Sequence, residues 1–122
     1  MAYQEILFAT EGSIGFLTLN NPAKINALSR AMIQEIIHAL NGIAVDESIK
    51  VVILQAAGNH FCAGHDLAEM VNQGVKEYKT IFDQCTRMMR LIHDTPQPVI
   101  AQVQGIATAA GCQLVAWCDL AV

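Results

Sequence analysis

Two segments of the sequence share a pattern that is typical of anion-binding and carbonyl-binding sites. Each consists of an apolar run, a turn of small residues and a helix start: residues 50–56 precede the turn at 58–66, and residues 98–103 precede the turn at 105–113. Small residues let a ligand approach the main chain closely, and the free N–H groups at a helix start attract negative charge. Two such turns side by side could direct two N–H groups at one oxygen, which is the requirement for stabilising an enolate or oxyanion.

Metal chemistry is the alternative reading of the first turn. His60, Cys62, His65 and Asp66 lie within seven residues. Their spacing matches no closed zinc pattern and no second cluster completes a tetrahedral set, so we expect no metal site. The four cysteines, at positions 62, 85, 112 and 118, are predicted to be buried reduced thiols, because the chain is core-forming and lacks a secretion signal.

The elements that must position the two turns follow from hydrophobic periodicity. Residues 3–10 and 14–20 are β-rich runs that favour a hairpin. Ser29 is predicted to cap a helix whose apolar residues repeat at helical spacing to Ile43. The unbroken apolar runs within 50–56 and 98–103 are typical of strands that are buried on both sides.

Three further helices are predicted: a short one within 66–72, a long one over 75–94 and one over 108–118. After the hairpin, strands and helices alternate. This order favours an α/β architecture with largely parallel strands.

Composition limits the classes of function. The 122 residues are 53% hydrophobic and 15% charged, so one folding unit must bury a large core. The net charge of −4 and the scattered basic residues argue against a nucleic-acid partner. Residues 95–118 are uncharged, but prolines and glutamines interrupt them, so we expect no membrane span. The first twelve residues lack Lys and Arg, which leads us to expect a cytoplasmic location.

Three motifs together resemble the enoyl-CoA hydratase/isomerase (crotonase) family. They are Asn-Asn-Pro-Ala-Lys-Ile-Asn-Ala-Leu at 20–28, Phe-Cys-Ala-Gly-His-Asp-Leu at 61–67, and Pro-Val-Ile-Ala at 98–101 continuing to Gly-Cys-Gln-Leu at 111–114 and Cys-Asp at 118–119. Within this family, Gly-His-Asp at 64–66 and Ala-Ala-Gly-Cys-Gln at 109–113 resemble the corresponding motifs of the subgroup called enoyl-CoA hydratase domain-containing proteins. The resemblance covers essentially all 122 residues, and we expect residues 1–122 to be the N-terminal part of a crotonase-like domain.

The resemblance implies a truncated α/β spiral of β-β-α units, assembly as homotrimers or hexamers, and binding of an acyl-CoA thioester in fatty-acid metabolism. It implies no cofactor beyond the coenzyme A of the substrate. The family's two oxyanion N–H groups correspond to His65 and Ala110. The residues that the resemblance implies for substrate binding are Ala23, Lys24, Ala63, His65, Asp66, Leu67 and Ala110. From residue chemistry alone, a carboxylate at a helix start explains Asp66 as well as a substrate contact does, and a solvated charge is the favoured interpretation of Lys24.

The sequence departs from the family pattern at catalytic positions. Gln113 stands where hydratases of the family place their first catalytic glutamate, and its amide cannot accept or deliver a proton at neutral pH. The second glutamate would lie beyond Val122, and Ala110 replaces the usual glycine. Gln113 is therefore expected beside the reacting carbon without acid–base function, and we expect the 122 residues alone to be inactive or nearly so.

Three hypotheses remain open at this point. The first is an enzyme, a lyase or isomerase of the family, that stabilises a thioester enolate. The second is a non-catalytic CoA-thioester-binding or regulatory protein of the same fold, which would bind without turnover. The third, a nucleotide-binding α/β domain, is disfavoured because no Gly-x-Gly-x-x-Gly motif and no phosphate-loop lysine is present.

Overall fold

A computed structural model describes residues 1–122 as a five-stranded sheet with helices packed on one face. The strands are β1 (Ile6–Glu11), β2 (Ile14–Leu19), β3 (Val51–Ala56), β4 (Val99–Ala101) and β5 (Leu120–Ala121). They lie in the order β1-β2-β3-β4-β5; β1 and β2 are antiparallel, and every later neighbour is parallel. The predicted hairpin and the predicted parallel strands are confirmed.

The α-helices are α1 (Arg30–Ala44), α2 (Val75–Asp94) and α3 (Ala110–Trp117), and single 3₁₀ turns occupy Pro22–Lys24 and Leu67–Met70. Ser29 caps α1 as predicted, because its side-chain oxygen accepts a hydrogen bond from Met32 N at 3.0 Å. The long helix predicted over 75–94 is confirmed, because α2 begins and ends at those residues. None of the three α-helices combines the length and the apolar character that a membrane crossing requires.

The core lies between the sheet and the helices. Leu17, Val52, Leu54 and Val99 face the helices and are essentially inaccessible to solvent. Their neighbours on the opposite face, such as Ile53, are only half-buried. The prediction that β3 and β4 are buried on both sides is therefore wrong for this chain, because the helices cover a single face of the sheet. The apolar runs identified the strands correctly but did not specify what covers each face.

Candidate functional site

The two turns of small residues lie side by side and are joined by main-chain hydrogen bonds. Phe61 N and Cys62 N both donate to Ile106 O, at 2.9 and 3.0 Å, and Thr108 N donates back to Cys62 O at 3.1 Å. The Nδ1 atom of His60 accepts a further hydrogen bond from Ile106 N at 2.9 Å. These bonds fix the position of the second turn relative to the first.

Glycines allow this close approach. A Cβ added to Gly64 would lie 3.0 Å from Ala109 Cβ and 3.3 Å from Ala110 N, and Gly64 itself has φ +96°, which side chains rarely adopt. A Cβ added to Gly111 would collide with the main chain of Cys62. The main chain at Gly64 therefore lies directly against the start of α3.

Two main-chain N–H groups on either side of this contact make no hydrogen bond within the chain. On either side of the His65 N–H, the main chain pairs with Leu28: Gly64 O accepts from Leu28 N at 2.7 Å, and Asp66 N donates to Leu28 O at 3.2 Å. The His65 N–H between them donates to no group of the chain. The Ala110 N–H is free because Ala110 is the first residue of α3 and has no carbonyl partner one turn earlier.

The residue before Ala110 is held in an unusual backbone conformation. Ala109 has φ 52° and ψ −126°, a combination that is populated mainly by glycine. Such strain costs about 1–3 kcal/mol and persists only where the surrounding structure imposes it. Here the strain sets the direction in which the main chain enters α3, and therefore the direction of the Ala110 N–H.

Both free N–H groups belong to residues that line one cavity of about 570 Å³. Its wall is formed by the loop at His65, one side of α2 and one side of α3 along its whole length. The lining residues are His65, Phe82, Cys85, Thr86, Met89, Ala109, Ala110, Gln113 and Trp117. The structure thus brings together His65, Ala110 and Gln113, which the sequence singled out from separate motifs.

The ring of His65 packs into this wall. It meets the ring of Phe82 edge to face, with centroids 5.2 Å apart, and its Nε2 atom is buried without a hydrogen-bond partner. Burial lowers the pKa of His65 from its ordinary value of 6.5, because desolvation disfavours the charged form. The imidazole is consequently neutral at pH 7.

The thiols near the cavity are protonated. Burial raises the pKa of Cys62 to about 11 and also raises the pKa of Cys85. All four cysteines are free, but Cys112 is exposed and Cys118 is only half-buried, so the prediction of four buried thiols is wrong at those two positions. The reason is local: Cys112 lies on the outer side of α3, where the apolar composition of the segment gives no information about burial.

The remaining predicted substrate-binding residues lie apart from the cavity wall. Lys24 Nζ and Asp66 Oδ2 form an ion pair at 3.4 Å, and Asp66 also caps the 3₁₀ turn Leu67–Met70 by accepting from Ala68 N at 3.1 Å. Ala23 and Leu67 are exposed. Ala63 N donates to Ile25 O at 3.0 Å, which holds the segment containing Lys24 beside the first turn.

The side chains considered as metal ligands do not converge. His60 Nδ1 is occupied by the second turn, Asp66 by Lys24 and its cap, and the Cys62 thiol donates to Asn26 O at 3.2 Å. The structure contains no group of three or more His, Cys, Asp or Glu side chains placed to hold a metal ion.

Sequence reasoning missed the part of the wall that α2 supplies. Phe82, Cys85, Thr86 and Met89 recur at intervals of three and four residues, so they lie on one side of the helix. That spacing is recognisable in the sequence, but it is equally typical of a helix face that packs into the core. Cys85 and Met89 are in fact buried and also face the cavity.

An α/β layer that presents two unpaired main-chain amides at one cavity carries the kind of donors that could polarise a carbonyl group. The chain belongs to the enoyl-CoA hydratase/isomerase family, since residues 9–122 match the family model Enoyl-CoA hydratase/isomerase. The resemblance derived from the three motifs is confirmed.

Individual relatives agree with this assignment. Enoyl-CoA hydratase domain-containing protein 3, mitochondrial, of Xenopus laevis is 46% identical over 113 residues, 92% of this chain and 38% of that protein. Crotonyl-CoA hydratase of Syntrophomonas wolfei is 32% identical over all of this chain and 47% of that protein. The crystal structure of an enoyl-CoA hydratase from Mycobacterium smegmatis superposes with a TM-score of 0.94 at 49% identity, covering 97% of this chain and 47% of that one.

These comparisons confirm the crotonase-like fold. They also show that the chain spans between a third and a half of the length of such relatives. The expected cytoplasmic location is wrong, because the Xenopus relative and others of the same name are named mitochondrial. The absence of Lys and Arg from the first twelve residues gives no information about the compartment, because these residues belong to the folded domain and the compartment depends on a separate targeting signal.

Proposed function

We propose that the protein binds an acyl-CoA thioester and stabilises negative charge on the thioester oxygen with the N–H groups of His65 and Ala110. The observation that carries the proposal is the pair of unpartnered amides on either side of Gly64, both at the same cavity. Main-chain donors fixed in this way need no reorganisation when charge develops, and one such donor is worth about 3–4 kcal/mol in a transition state.

The thioester would be held over the cavity with its acyl group against the apolar wall of α2. Coenzyme A would extend across the first turn toward Lys24, which is exposed and could meet a phosphate. Coenzyme A enters as part of the thioester, and we propose no separate cofactor.

The reaction that follows carbonyl polarisation depends on proton transfer. Gln113 lines the cavity one helical turn after Ala110. We propose that this position corresponds to the first catalytic glutamate of family hydratases. Its amide can orient a water molecule but cannot act as an acid or base. We therefore propose that residues 1–122 bind and polarise the thioester, and that hydration or isomerisation requires an acid–base group outside them.

The same observation supports a second candidate function, a CoA-thioester-binding or regulatory protein that does not turn its ligand over. Incubation with crotonyl-CoA separates the two functions. The incubation uses the longer protein that contains residues 1–122. If the conjugated enoyl absorbance of crotonyl-CoA is lost, the protein is an enzyme; if crotonyl-CoA binds without any change in its absorbance, the protein is a non-catalytic binder. Assembly into trimers or hexamers is a further proposal, to be measured by light scattering.

The test of the proposed oxygen site compares two ligands that differ only in that oxygen. Butyryl-CoA and its thioether analogue S-butyl-CoA share the coenzyme and the chain, but the thioether has no carbonyl. We expect the thioester to bind at least about fivefold more tightly, because each hydrogen bond contributes about 0.5–1.5 kcal/mol. Equal affinities in a calorimetric titration would show that the two amides do not bind the carbonyl.

A further inference from the structure

Residues 20–28, called the motif segment below, contain a buried asparagine that the proposed function leaves without a role. Asn26 is inaccessible to solvent, and its side chain makes three hydrogen bonds within the chain. Its Oδ1 accepts from Asn21 N at 2.8 Å, and its Nδ2 donates to Ala57 O at 2.9 Å and to His60 O at 3.1 Å. Both donors of the amide are therefore used, and they tie the motif segment to the start of the first turn.

The main chain at Asn26 has an unusual conformation that these bonds support. Ile25 and Asn26 have φ 52° and 51°, so two successive residues lie in the left-handed region. Asparagine tolerates this region, but a β-branched isoleucine there is an outlier, and such strain persists only where the surrounding structure imposes it. Both carbonyl groups are bound to the first turn: Ile25 O accepts from Ala63 N at 3.0 Å. Asn26 O accepts from the Cys62 thiol at 3.2 Å.

The Cys62 thiol connects Asn26 to the residue before His65. The thiol is fully buried, and besides donating to Asn26 O it accepts from Gly64 N at 3.4 Å. Burial raises the pKa of Cys62 to about 11, so at neutral pH the thiol carries the proton that it donates. The carbonyl group of Gly64 accepts from Leu28 N at 2.7 Å. The motif segment therefore fixes both main-chain polar groups of Gly64, one directly and one through Cys62.

Fixing the Gly64 carbonyl group also fixes the direction of the His65 N–H. The two groups belong to one peptide unit, which is planar and, like every other in the chain, trans. In a trans peptide unit the C=O and the N–H point in opposite directions. Because the carbonyl group is directed at Leu28 N, the His65 N–H points away from the motif segment. The direction of this donor is therefore determined by contacts that lie outside the cavity.

We propose that Asn26 and Cys62 are positioning residues that orient the His65 N–H toward the thioester oxygen. Asn26 holds the motif segment in place, and Cys62 links that segment to Gly64. The proposal rests on the proposed function, because this N–H is one of the two amides proposed for the thioester oxygen. Neither Asn26 nor Cys62 lines the cavity. Changing them should therefore weaken binding of a ligand that has the carbonyl oxygen and leave binding of a ligand without it nearly unchanged.

The first test replaces Asn26 by glycine, which removes the three side-chain hydrogen bonds and adopts positive φ without strain. Calorimetric titration then compares butyryl-CoA with S-butyl-CoA. We expect the preference for the thioester to fall by about two- to tenfold, the range that loss of one neutral hydrogen bond gives, and S-butyl-CoA affinity to change by less than about twofold. Asn72→Gly is the matched control, because Asn72 has φ 57° but is exposed, and it should keep the full preference.

Cys62 allows a second test that does not depend on how well Asn26→Gly folds. Cys62→Ala leaves Asn26 O and Gly64 N without their shared partner, and we expect the same loss of preference. Cys62→Ser restores a group that can both donate and accept, so it should recover most of the preference. A role in stability alone would not produce this order, because the folding equilibrium cancels in the ratio of two affinities.

Infrared spectroscopy of butyryl-CoA labelled with a heavy isotope at the thioester carbonyl reports the same hydrogen bonds directly. A hydrogen bond to the oxygen lowers the carbonyl stretching frequency. The frequency of the bound ligand should therefore be higher in Asn26→Gly and Cys62→Ala than in the unchanged protein, whereas Asn72→Gly should not alter it.

The positioning proposal is overturned if Asn26→Gly and Cys62→Ala keep the preference and the carbonyl frequency of the unchanged protein. It is also overturned if Asn72→Gly loses as much preference as Asn26→Gly, or if Cys62→Ser behaves like Cys62→Ala. In each of these cases the unchanged protein still prefers the thioester, so the proposed function stands. If the unchanged protein binds butyryl-CoA and S-butyl-CoA equally, the proposed oxygen site fails, and the positioning proposal fails with it.

Discussion

Replacing Gly64 by alanine tests the contact on which the oxygen site depends. The added methyl group would lie 3.0 Å from Ala109 Cβ and 3.3 Å from both Ala110 N and Thr108 O. Neither neighbour can retreat easily. Ala109 already has a strained backbone, and Ala110 begins a helix whose next residue, Gly111, is packed against the main chain of Cys62. The substitution should therefore push the two turns apart.

Two effects contribute to the loss of stability that we expect for Gly64→Ala. A side chain at φ +96° costs about 1–3 kcal/mol of backbone strain. Overpacking against atoms that cannot move costs about 1–3 kcal/mol more. Movement of the turns relieves part of both, so we expect Gly64→Ala to lower the free energy of unfolding by about 2–4 kcal/mol.

Gly42→Ala is the control. Gly42 lies in α1, and a Cβ added there would meet no atom within 4 Å, so the change should stabilise the helix by about 0.5–1 kcal/mol. Urea unfolding followed by circular dichroism gives both stabilities.

Ligand binding separates a general loss of stability from damage to the site. Under conditions where Gly64→Ala is still folded, we expect the advantage of butyryl-CoA over S-butyl-CoA to fall by about two- to twelvefold, because one of the two N–H groups is displaced from the oxygen. Gly42→Ala should keep the full advantage. If Gly64→Ala retains both its stability and its preference for the thioester, the two turns are not held by this contact and the geometric reasoning is wrong.

Four further predictions follow from single interactions. Ser29→Ala should cost about 1 kcal/mol in urea unfolding, because it removes the cap of α1. Lys24→Ala should change stability by less than about 1 kcal/mol, since the pair is exposed on the lysine side, but it should reduce the salt dependence of butyryl-CoA binding. Burial lowers the pKa of His65 from its ordinary value of 6.5, so as the pH falls below 6.5 the unfolded state binds the proton before the folded state does. The contribution of His65 to the free energy of unfolding should therefore be complete above pH 6.5 and decline below it. In urea unfolding at a series of pH values, this decline should be less steep for His65→Gln. A thiol reagent at pH 8 should modify Cys112 first and Cys62 slowly, because Cys112 is exposed and burial raises the pKa of Cys62 to about 11, and Cys112→Ser should remove the fast phase.

The sequence was sufficient to predict features that depend on neighbouring residues. The spacing of apolar residues along α2 predicted both of its ends, and Ser29 predicted the start of α1 through a contact three residues away. The order of strands and helices predicted parallel pairing. Each of these follows from local periodicity or from a rule of chain connection, so tertiary information was not needed.

Features that depend on distant parts of the chain could not be predicted in this way. The unbroken apolar run of β3 is compatible with burial on one face or on both, and only the placement of the helices decides which. Similarly, Thr86 and Phe82 belong to the cavity because α2 crosses near the second turn, whereas their sequence pattern is that of any amphipathic helix. The two turns were identified as a pair, but their contact at Gly64 is a property of the fold.

The distribution of small residues around the site has one physical explanation. Gly64 and Gly111 lie where an added methyl group would meet main-chain atoms, so their role is to permit close approach. Ala109 has a backbone conformation that glycine would adopt without strain, yet it carries a methyl group that contacts the same region. Glycine at position 109 would relieve the strain but would also let the turn sample other directions. The alanine restricts the main chain that leads into Ala110, and a restricted donor is the kind that contributes most when charge develops on a bound oxygen.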